Sequence, residues 1–367
     1  MERRKMAIFK GYMHGIGIGG WLTNFKRLQF IPIELSRDIT TGDREHFETY
    51  ITENDVRQIA SWGCDHIRLA FDYLLLEDEE NPFVLRADLG FKYLDRFLEW
   101  CGKHGLNVIL DLHRAAGSSC DYYEDSSLMD DPGLQERFLW LWREIAKHYR
   151  SEGDRLAFEL LNEVHVPEAS KWSRLAKRAV TAIREISPRR KIVIGSNNYG
   201  EPAALKDLEI LDDDNVIYSF HCYAPLEFTH QRAPIHVPLA LYNRYMKYPS
   251  EIEPYIDYLN FAKCDTGAYR SLGRMDRRYL ERHLKPAFEF QAECGKALYC
   301  GEFGVIRHCD IKSRENYYRD LIALCKEHNI AYAAWNYLST PYDANRFSIV
   351  DDWDRKPLSE ELIRIIS

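Results

Sequence analysis

The stretch Ala157-Phe158-Glu159-Leu160-Leu161-Asn162-Glu163-Val164 decides how this chain is read. It opens as an apolar strand and closes on a polar pair, Asn162-Glu163. In parallel α/β sheets ligands meet the carboxyl ends of the strands, and in an eight-stranded barrel the side chains at those ends do the chemistry. A second stretch has the same form. Ala297-Leu298-Tyr299-Cys300-Gly301-Glu302-Phe303-Gly304 is another short apolar run that delivers a carboxylate, Glu302.

Outward from these two, apolar strand-like runs alternate with amphipathic helical ones along the whole chain. Strands are expected at residues 13–18, 66–69, 107–112, 156–161, 192–195, 216–220, 298–301 and 331–334. Thr52, with Asp55 three positions on, opens a helix before the second strand. Phe91, Leu94, Phe97, Leu98 and Cys101 recur at helical spacing and stop at Gly105, a fitting C-terminal cap. Further helices are expected at 132–150 and 168–186, the latter ending before Pro188. Eight strand–helix units joined by short loops predict an α/β fold, a (β/α)8 barrel forming one catalytic domain over 1–367. One connection is too long for a plain loop: more than fifty residues separate Tyr223 from a helix near 277–294. It is read as a small insert subdomain over 224–275. Phe228, Tyr242, Tyr245, Tyr248, Tyr255, Tyr258 and Phe261 point to its walling one side of a cleft.

Bulk properties narrow the function. A net charge of −8 over 367 residues argues against a nucleic-acid surface, which needs a basic patch. No run approaches the ~20 apolar residues of a membrane span. Lys10 and His14 interrupt any hydrophobic run of signal-peptide length near the start, so a cytoplasmic protein is expected, or a secreted one if a leader has been removed. Nine cysteines, without a Cys-x-x-Cys pair, read as free thiols in a reducing compartment. Aromatics at 13% suit a cleft that stacks on the flat faces of sugar rings, although most of them belong to the core.

The polar residues at the expected strand ends are Arg68, His113, Asn162, Glu163, His221, Tyr223, Glu302 and Trp335. Each alone has a structural explanation; gathered at one barrel face they form a constellation. Two carboxylates at two strand ends suit glycoside cleavage, in which a retaining enzyme holds them about 5–5.5 Å apart. Glu302 is expected to be the nucleophile, kept ionised by Arg68 and a hydrogen bond from Tyr223. Glu163 is expected to be the acid/base. Asn162 would meet a sugar 2-hydroxyl, His113 and His221 would hold hydroxyls or tune the carboxylates, and Trp335 would offer a flat face. No cofactor and no metal are expected. A metal-dependent hydrolase built on His14, His113 and His221 would want a His-x-His pair on the first strand, which is absent. A sugar-binding barrel without catalysis is disfavoured by the presence of both glutamates and Arg68.

The chain resembles glycoside hydrolase family 5, the cellulase family. The matching segments run in family order: 15–22 (GIGIGGWL), 66–73 (HIRLAFDY), 110–117 (LDLHRAAG), 157–164 (AFELLNEV), 195–199 (GSNNY), 219–225 (SFHCYAP), 228–231 (FTHQ), 298–304 (LYCGEFG) and 335–337 (WNY). The resemblance implies that Glu163 is the acid/base and Glu302 the nucleophile, with Arg68, His113, Asn162, His221, Tyr223 and Trp335 at the remaining site positions. Within the family the chain is most similar to compact clostridial-type endoglucanases. This implies a monomer that cleaves β-glucosidic bonds in cellulose-type or mixed-linkage glucans and cello-oligosaccharides. A β-mannanase or an exo-acting β-1,3-glucanase or β-glucosidase is the alternative. The chain departs from that group at Cys222, where an aromatic is usual, and at Arg114, where His or Lys is usual. Residues 26–44 form an added loop that would close one end of the cleft and favour short substrates or exo cleavage.

Overall fold

The computed structural model describes residues 6–23, 41–77, 81–87, 89–119, 125–339 and 345–367. The added loop expected at 26–44 lies largely outside them. In chain order the strands are β1 (His14–Leu22), β2 (His66–Asp72), β3 (Asn107–Arg114), β4 (Leu156–Glu159), β5 (Lys191–Gly195), β6 (Val216–Cys222), β7 (Ser250–Glu251), β8 (Arg274–Met275), β9 (Leu298–Phe303) and β10 (Ala331–Ala334). Eight of them close a parallel barrel in the order β1-β10-β9-β6-β5-β4-β3-β2, while β7 and β8 pair antiparallel within the long connection.

Strand alternation sorts the apolar residues into two layers. Ile109, Ala157, Val193, Ile217, Tyr299 and Ala333 form a small cluster inside the barrel. Their neighbours Leu110, Phe158, Ile192, Tyr218, Cys300 and Ala334 pack outward in the core shared with the helices. The floor of the barrel is plugged from below. Phe9 and Tyr12 stack at 4.4 Å, and Phe9 meets Tyr299 edge-on at 5.7 Å. With the floor closed, the opposite, carboxyl-terminal face is left to hold polar side chains.

Several strand ends differ from the sequence expectation. β2 continues to Asp72 because Ala70, Phe71 and Asp72 keep partners on β3, namely Asp111, Leu112 and Arg114. Arg68 therefore sits third of seven residues, well inside the strand, and not near its carboxyl end. β4 is shorter than expected and stops at Glu159. Asn162 and Glu163 thus stand on a loop above it, tied down by the Asn162 N–H to the Leu112 carbonyl at 3.1 Å.

The helices follow their signals. Glu53–Ser61 is opened by Thr52, whose backbone N–H donates to Asp55 Oδ2 at 2.8 Å. Lys92–Lys103 stops just short of Gly105, which takes the left-handed φ of +76°. The connection after β6 carries four short helices, Leu226–Thr229, Val237–Tyr242, Glu253–Phe261 and Gly267–Arg270, besides the β7–β8 pair. Among the described residues no helix is long and apolar enough to cross a membrane.

Candidate active site

Arg68 is the hub of the barrel mouth. It is fully buried, and its guanidinium faces three carboxylates. Its Nε donates to Glu159 Oε2 at 2.7 Å and its Nη2 to Glu159 Oε1 at 3.1 Å. Nη1 donates to Glu302 Oε1 at 2.6 Å, and Nη2 lies 3.1 Å from Asp111 Oδ2. Nη2 also donates to Asn162 Oδ1 at 2.8 Å. One buried cation among three buried carboxylates leaves an excess of negative charge, which favours retention of a proton. Burial first, then the charges of Asp111 and Glu302, push Glu159 up to about 7 against the pull of Arg68. Burial works to raise Asp111 as well, but Arg68 and His113 outweigh it and hold Asp111 below its ordinary value.

Glu302 reaches this cluster through an irregularity in β9. Phe220 pairs with Cys300, but His221 pairs with Glu302, so one extra residue is accommodated at Gly301. Simple alternation would turn Glu302 outward with Cys300; the bulge re-aims it at the barrel axis. A Cβ on Gly301 would lie 3.1 Å from His221 Nε2, which is why a glycine suits the position. The second oxygen of Glu302 accepts a 2.8 Å hydrogen bond from the Tyr223 hydroxyl. Burial and then the charge of Glu302 raise the Tyr223 phenol well above its ordinary value, so it remains a donor.

Glu163 holds a left-handed backbone with φ of +39°. In a non-glycine residue this costs of order 1–3 kcal/mol and persists only where the surroundings fix it. Here Tyr199 N–H binds the adjacent Val164 carbonyl at 3.2 Å, and His221 Nδ1 lies 2.8 Å from Glu163 Oε1. Burial lowers His221 to about 4, so its ring is neutral above that pH. One oxygen of Glu163, one of Glu302 and a ring nitrogen of His221 all lie within 4.8 Å of one another.

His113 and Trp335 form the other wall. Their rings are parallel, 2° apart in plane and 5.6 Å between centroids. Asp111 Oδ2 lies 2.7 Å from His113 Nδ1 and fixes that ring. The indole rests on Gly17 and Gly19 of β1, where a Cβ would approach it to 2.7 and 2.4 Å. These walls border a cleft of about 800 Å³, which all the expected site residues line except Arg68, buried beneath it.

The structure brings the eight expected residues to one mouth, and it adds two the sequence reading passed over, Asp111 and Glu159. Both were signalled by strand parity, two residues before His113 and four before Glu163. The expected aromatic wall of the connection is different from the one found. Phe228, Tyr248 and Tyr255 are buried, and none of the seven aromatics named for it lines the cleft; Leu226, Glu227, His230, Ile235, His236 and Tyr269 do. Arg114 faces away, pairing with Asp72 at 2.9 Å, and Cys222 is buried beside Tyr317, so neither departure meets the cleft. His14 begins β1, at the opposite end of the barrel from His113 and His221, so the three do not form a set. Among the described residues, Asp111 with His113 and Glu302, and Glu163 with His221 and Glu302, come close enough to share a metal ion. Each group shares Glu302, whose Oε1 already has the guanidinium 2.6 Å away.

A parallel barrel whose carboxyl-terminal mouth presents two facing carboxylates in a cleft has the arrangement that a glycoside hydrolase needs. Comparison with known proteins narrows this. Residues 29–340 match the family model described as cellulase, glycosyl hydrolase family 5, and the chain belongs to that family. It is 39% identical over 363 residues to endoglucanase C of Acetivibrio thermocellus, covering 99% of both chains. It is 33% identical over 310 residues to cellodextrinase A of Ruminococcus flavefaciens, covering 84% of this chain and 79% of that one. Among solved structures, an endoglucanase from the hyperthermophile Thermotoga maritima has the same fold, with a TM-score of 0.71 at 24% identity over 100% of this chain and 99% of that one.

Proposed function

We propose that this protein is a retaining endo-β-1,4-glucanase-like enzyme acting on cellulose-type β-glucans and cello-oligosaccharides, with Glu302 as nucleophile and Glu163 as acid/base. The observation that carries this is that one oxygen of Glu163 comes within 4.8 Å of one oxygen of Glu302, the close approach of a retaining pair. Retaining enzymes need about 5–5.5 Å, whereas inverting ones need about 6.5–9.5 Å to admit a water. The relatives called endoglucanase and cellodextrinase support the substrate class.

The division of roles follows from the partners. Glu302 accepts from a guanidinium on one oxygen and from a phenol on the other, two donors that fix its orientation for attack. Attack on the anomeric carbon forms a glycosyl–Glu302 ester as Glu163 passes its proton to the departing oxygen. Water then breaks the ester, its proton going to Glu163. Neutral His221 suits both states of Glu163, since a change of tautomer lets Nδ1 donate to the carboxylate or accept from the acid. Asn162, oriented by Arg68, meets the 2-hydroxyl; His113 holds hydroxyls, and Trp335 provides the flat face for the sugar that becomes bound. The connection 224–275 acts as a subdomain that helps bind substrate beyond the cleaved bond, in a monomeric enzyme. Eight free cysteines among the described residues, six of them buried, favour a reducing compartment such as the cytoplasm.

The test is the product. Proton NMR of a β-cellobioside digest should show the β-anomer first, and initial release of the α-sugar would refute retention. A product profile on cello-, manno- and laminari-oligosaccharides should favour the cello series; preferential cleavage of the manno or laminari series would overturn the substrate class.

A further inference from the structure

Three side chains from three separate strand–helix units meet in the cleft: Glu163 above β4, His221 on β6 and Glu302 on β9. His221 Nδ1 faces both carboxylates, 2.8 Å from Glu163 Oε1 and 3.8 Å from Glu302 Oε2. One ligand atom from each of the three lies within 4.8 Å of the other two. Zinc binds oxygen and imidazole nitrogen at about 2.0–2.2 Å, so its tetrahedral ligands stand about 3.3 Å apart. The two separations at His221 lie on either side of that value. Glu163 has the freest side chain of the three, 20% exposed against 5% for each of the others, and a turn of its carboxylate can close the set on one ion.

The other close-set trio, Asp111 with His113 and Glu302, suits a cation poorly. Arg68 Nη2 lies 3.1 Å from Asp111 Oδ2, the same oxygen that His113 Nδ1 meets at 2.7 Å. In the Glu163 trio the guanidinium sits on the far oxygen of Glu302, Oε1. Oε2 accepts from the Tyr223 hydroxyl at 2.8 Å, and a carboxylate oxygen keeps a second lone pair for a metal. Because all three ligands line the cleft, an ion has a path in, and water can fill its remaining positions. Binding needs a lone pair on Nδ1, which the Nε2–H tautomer supplies, and it releases to solvent the proton that Glu163 holds as acid. The donor set also selects the ion. Imidazole with carboxylate suits zinc, copper and nickel, whereas magnesium and calcium want six or more oxygens.

We infer that Glu163, His221 and Glu302 form an inhibitory site for a divalent transition-metal ion, zinc in the first place. An ion there engages the nucleophile and the proton donor at once, so the anomeric carbon and the departing oxygen cannot enter between them. The inhibition rests on the proposed glucanase reaction; the coordination rests on the geometry of the three side chains alone.

Kinetics and binding test the two parts separately, at one fixed pH. Zinc chloride added to the metal-free enzyme should inhibit hydrolysis of an aryl β-cellobioside competitively: the apparent KM rises in proportion to zinc while kcat holds, and EDTA reverses the effect. Magnesium and calcium at the same concentrations should leave turnover unchanged. Calorimetric titration with zinc then reads the site without turnover. It is run in a Cys264→Ser background, which removes the exposed thiol as a competing ligand. Glu163→Gln and His221→Gln should each weaken zinc binding at least tenfold to a hundredfold, since losing even a partner that only orients a metal ligand costs that much. Either variant suffices if the other folds poorly. Cobalt in place of zinc should show the visible bands of nitrogen and oxygen ligation without the strong near-ultraviolet band of a thiolate. Zinc affinity unchanged in the variants, inhibition at constant apparent KM, or activity restored by zinc after chelation would each overturn the site. A metal-free wild type unable to cleave the aryl β-cellobioside would instead overturn the proposed reaction, and calorimetry would still read the coordination.

Discussion

Arg68 gives two of its N–H groups to Glu159, at 2.7 and 3.1 Å, and only one to Glu302, at 2.6 Å. The cation that holds the nucleophile is thus itself held by a carboxyl with no part in the reaction. Glu159 lies under the site and keeps its proton up to about 7, whereas an unperturbed glutamate in the unfolded chain releases it near 4.5.

The sign of the resulting pH dependence is fixed. Below about pH 4.5 both states hold the Glu159 proton, and its contribution to stability is fully present. Between 4.5 and about 7 only the folded state holds it, so this contribution falls as pH rises, and above 7 it is constant. Glu159→Gln removes the titration. Urea unfolding should therefore show the variant gaining on the wild type across that window, by about 1.4 kcal/mol per pH unit at most. A stability difference that stays flat across the window would show that Glu159 does not titrate there. Comparing the two proteins cancels the opposite trend expected from His221, which is neutral in the fold down to about 4 and gives stability that is lost as pH falls below its unfolded value of 6.5.

The two glutamates are separated by azide. In Glu163→Ala, the ester to Glu302 still forms from a dinitrophenyl glycoside but is not hydrolysed, so a burst appears and KM falls. Azide then attacks the ester and gives the β-glycosyl azide. In Glu302→Ala, azide can only fill the vacated nucleophile position and give the α-azide. NMR of the product reads the anomer, and swapped anomers would exchange the two roles.

Tyr223→Phe removes the donor on Glu302 Oε2 and leaves the ring in place. A hydrogen bond to a charged group is worth about 1.5–3 kcal/mol. The expected result is a kcat on aryl β-cellobioside lower by roughly tenfold to a hundredfold with little change in KM. A change in KM alone would mean that the phenol binds substrate and does not support the nucleophile.

Gly19→Ala reaches the site without touching a reacting group. Its Cβ would stand 2.4 Å from the Trp335 ring and 2.5 Å from a second ring carbon, so the indole must move. Overpacking of this kind costs about 1–3 kcal/mol of stability. Displacing the flat wall should lower kcat/KM on cello-oligosaccharides by roughly tenfold or more, because a shift of about 1 Å in a positioning group can cost a hundredfold. An unchanged kcat/KM would remove Trp335 from the substrate-binding wall.

Dialysis against EDTA should leave turnover of the aryl β-cellobioside unchanged. Loss of most activity, restored by zinc, would make one of the two carboxylate–histidine triads at Glu302 a metal site.

The sequence by itself determined the barrel and the eight residues at its mouth. Eight apolar runs of strand length alternating with helical ones admit few other folds, and the polar residues within or just beyond those runs, from Arg68 to Trp335, mark the catalytic face. Only the tertiary structure decided how those residues act on one another. That Glu302 faces inward depends on the bulge at Gly301, which is a pairing between β6 and β9 some eighty residues apart, invisible to local alternation. That Arg68 lies mid-strand depends on how far β3 continues to pair with β2. The cluster of Asp111, Glu159 and Glu302 on one guanidinium joins residues from separate strand–helix units. Local pattern reports which face of its own element a side chain takes; charge balance and the shape of a binding recess are properties of several elements at once, and they exist only when the barrel closes.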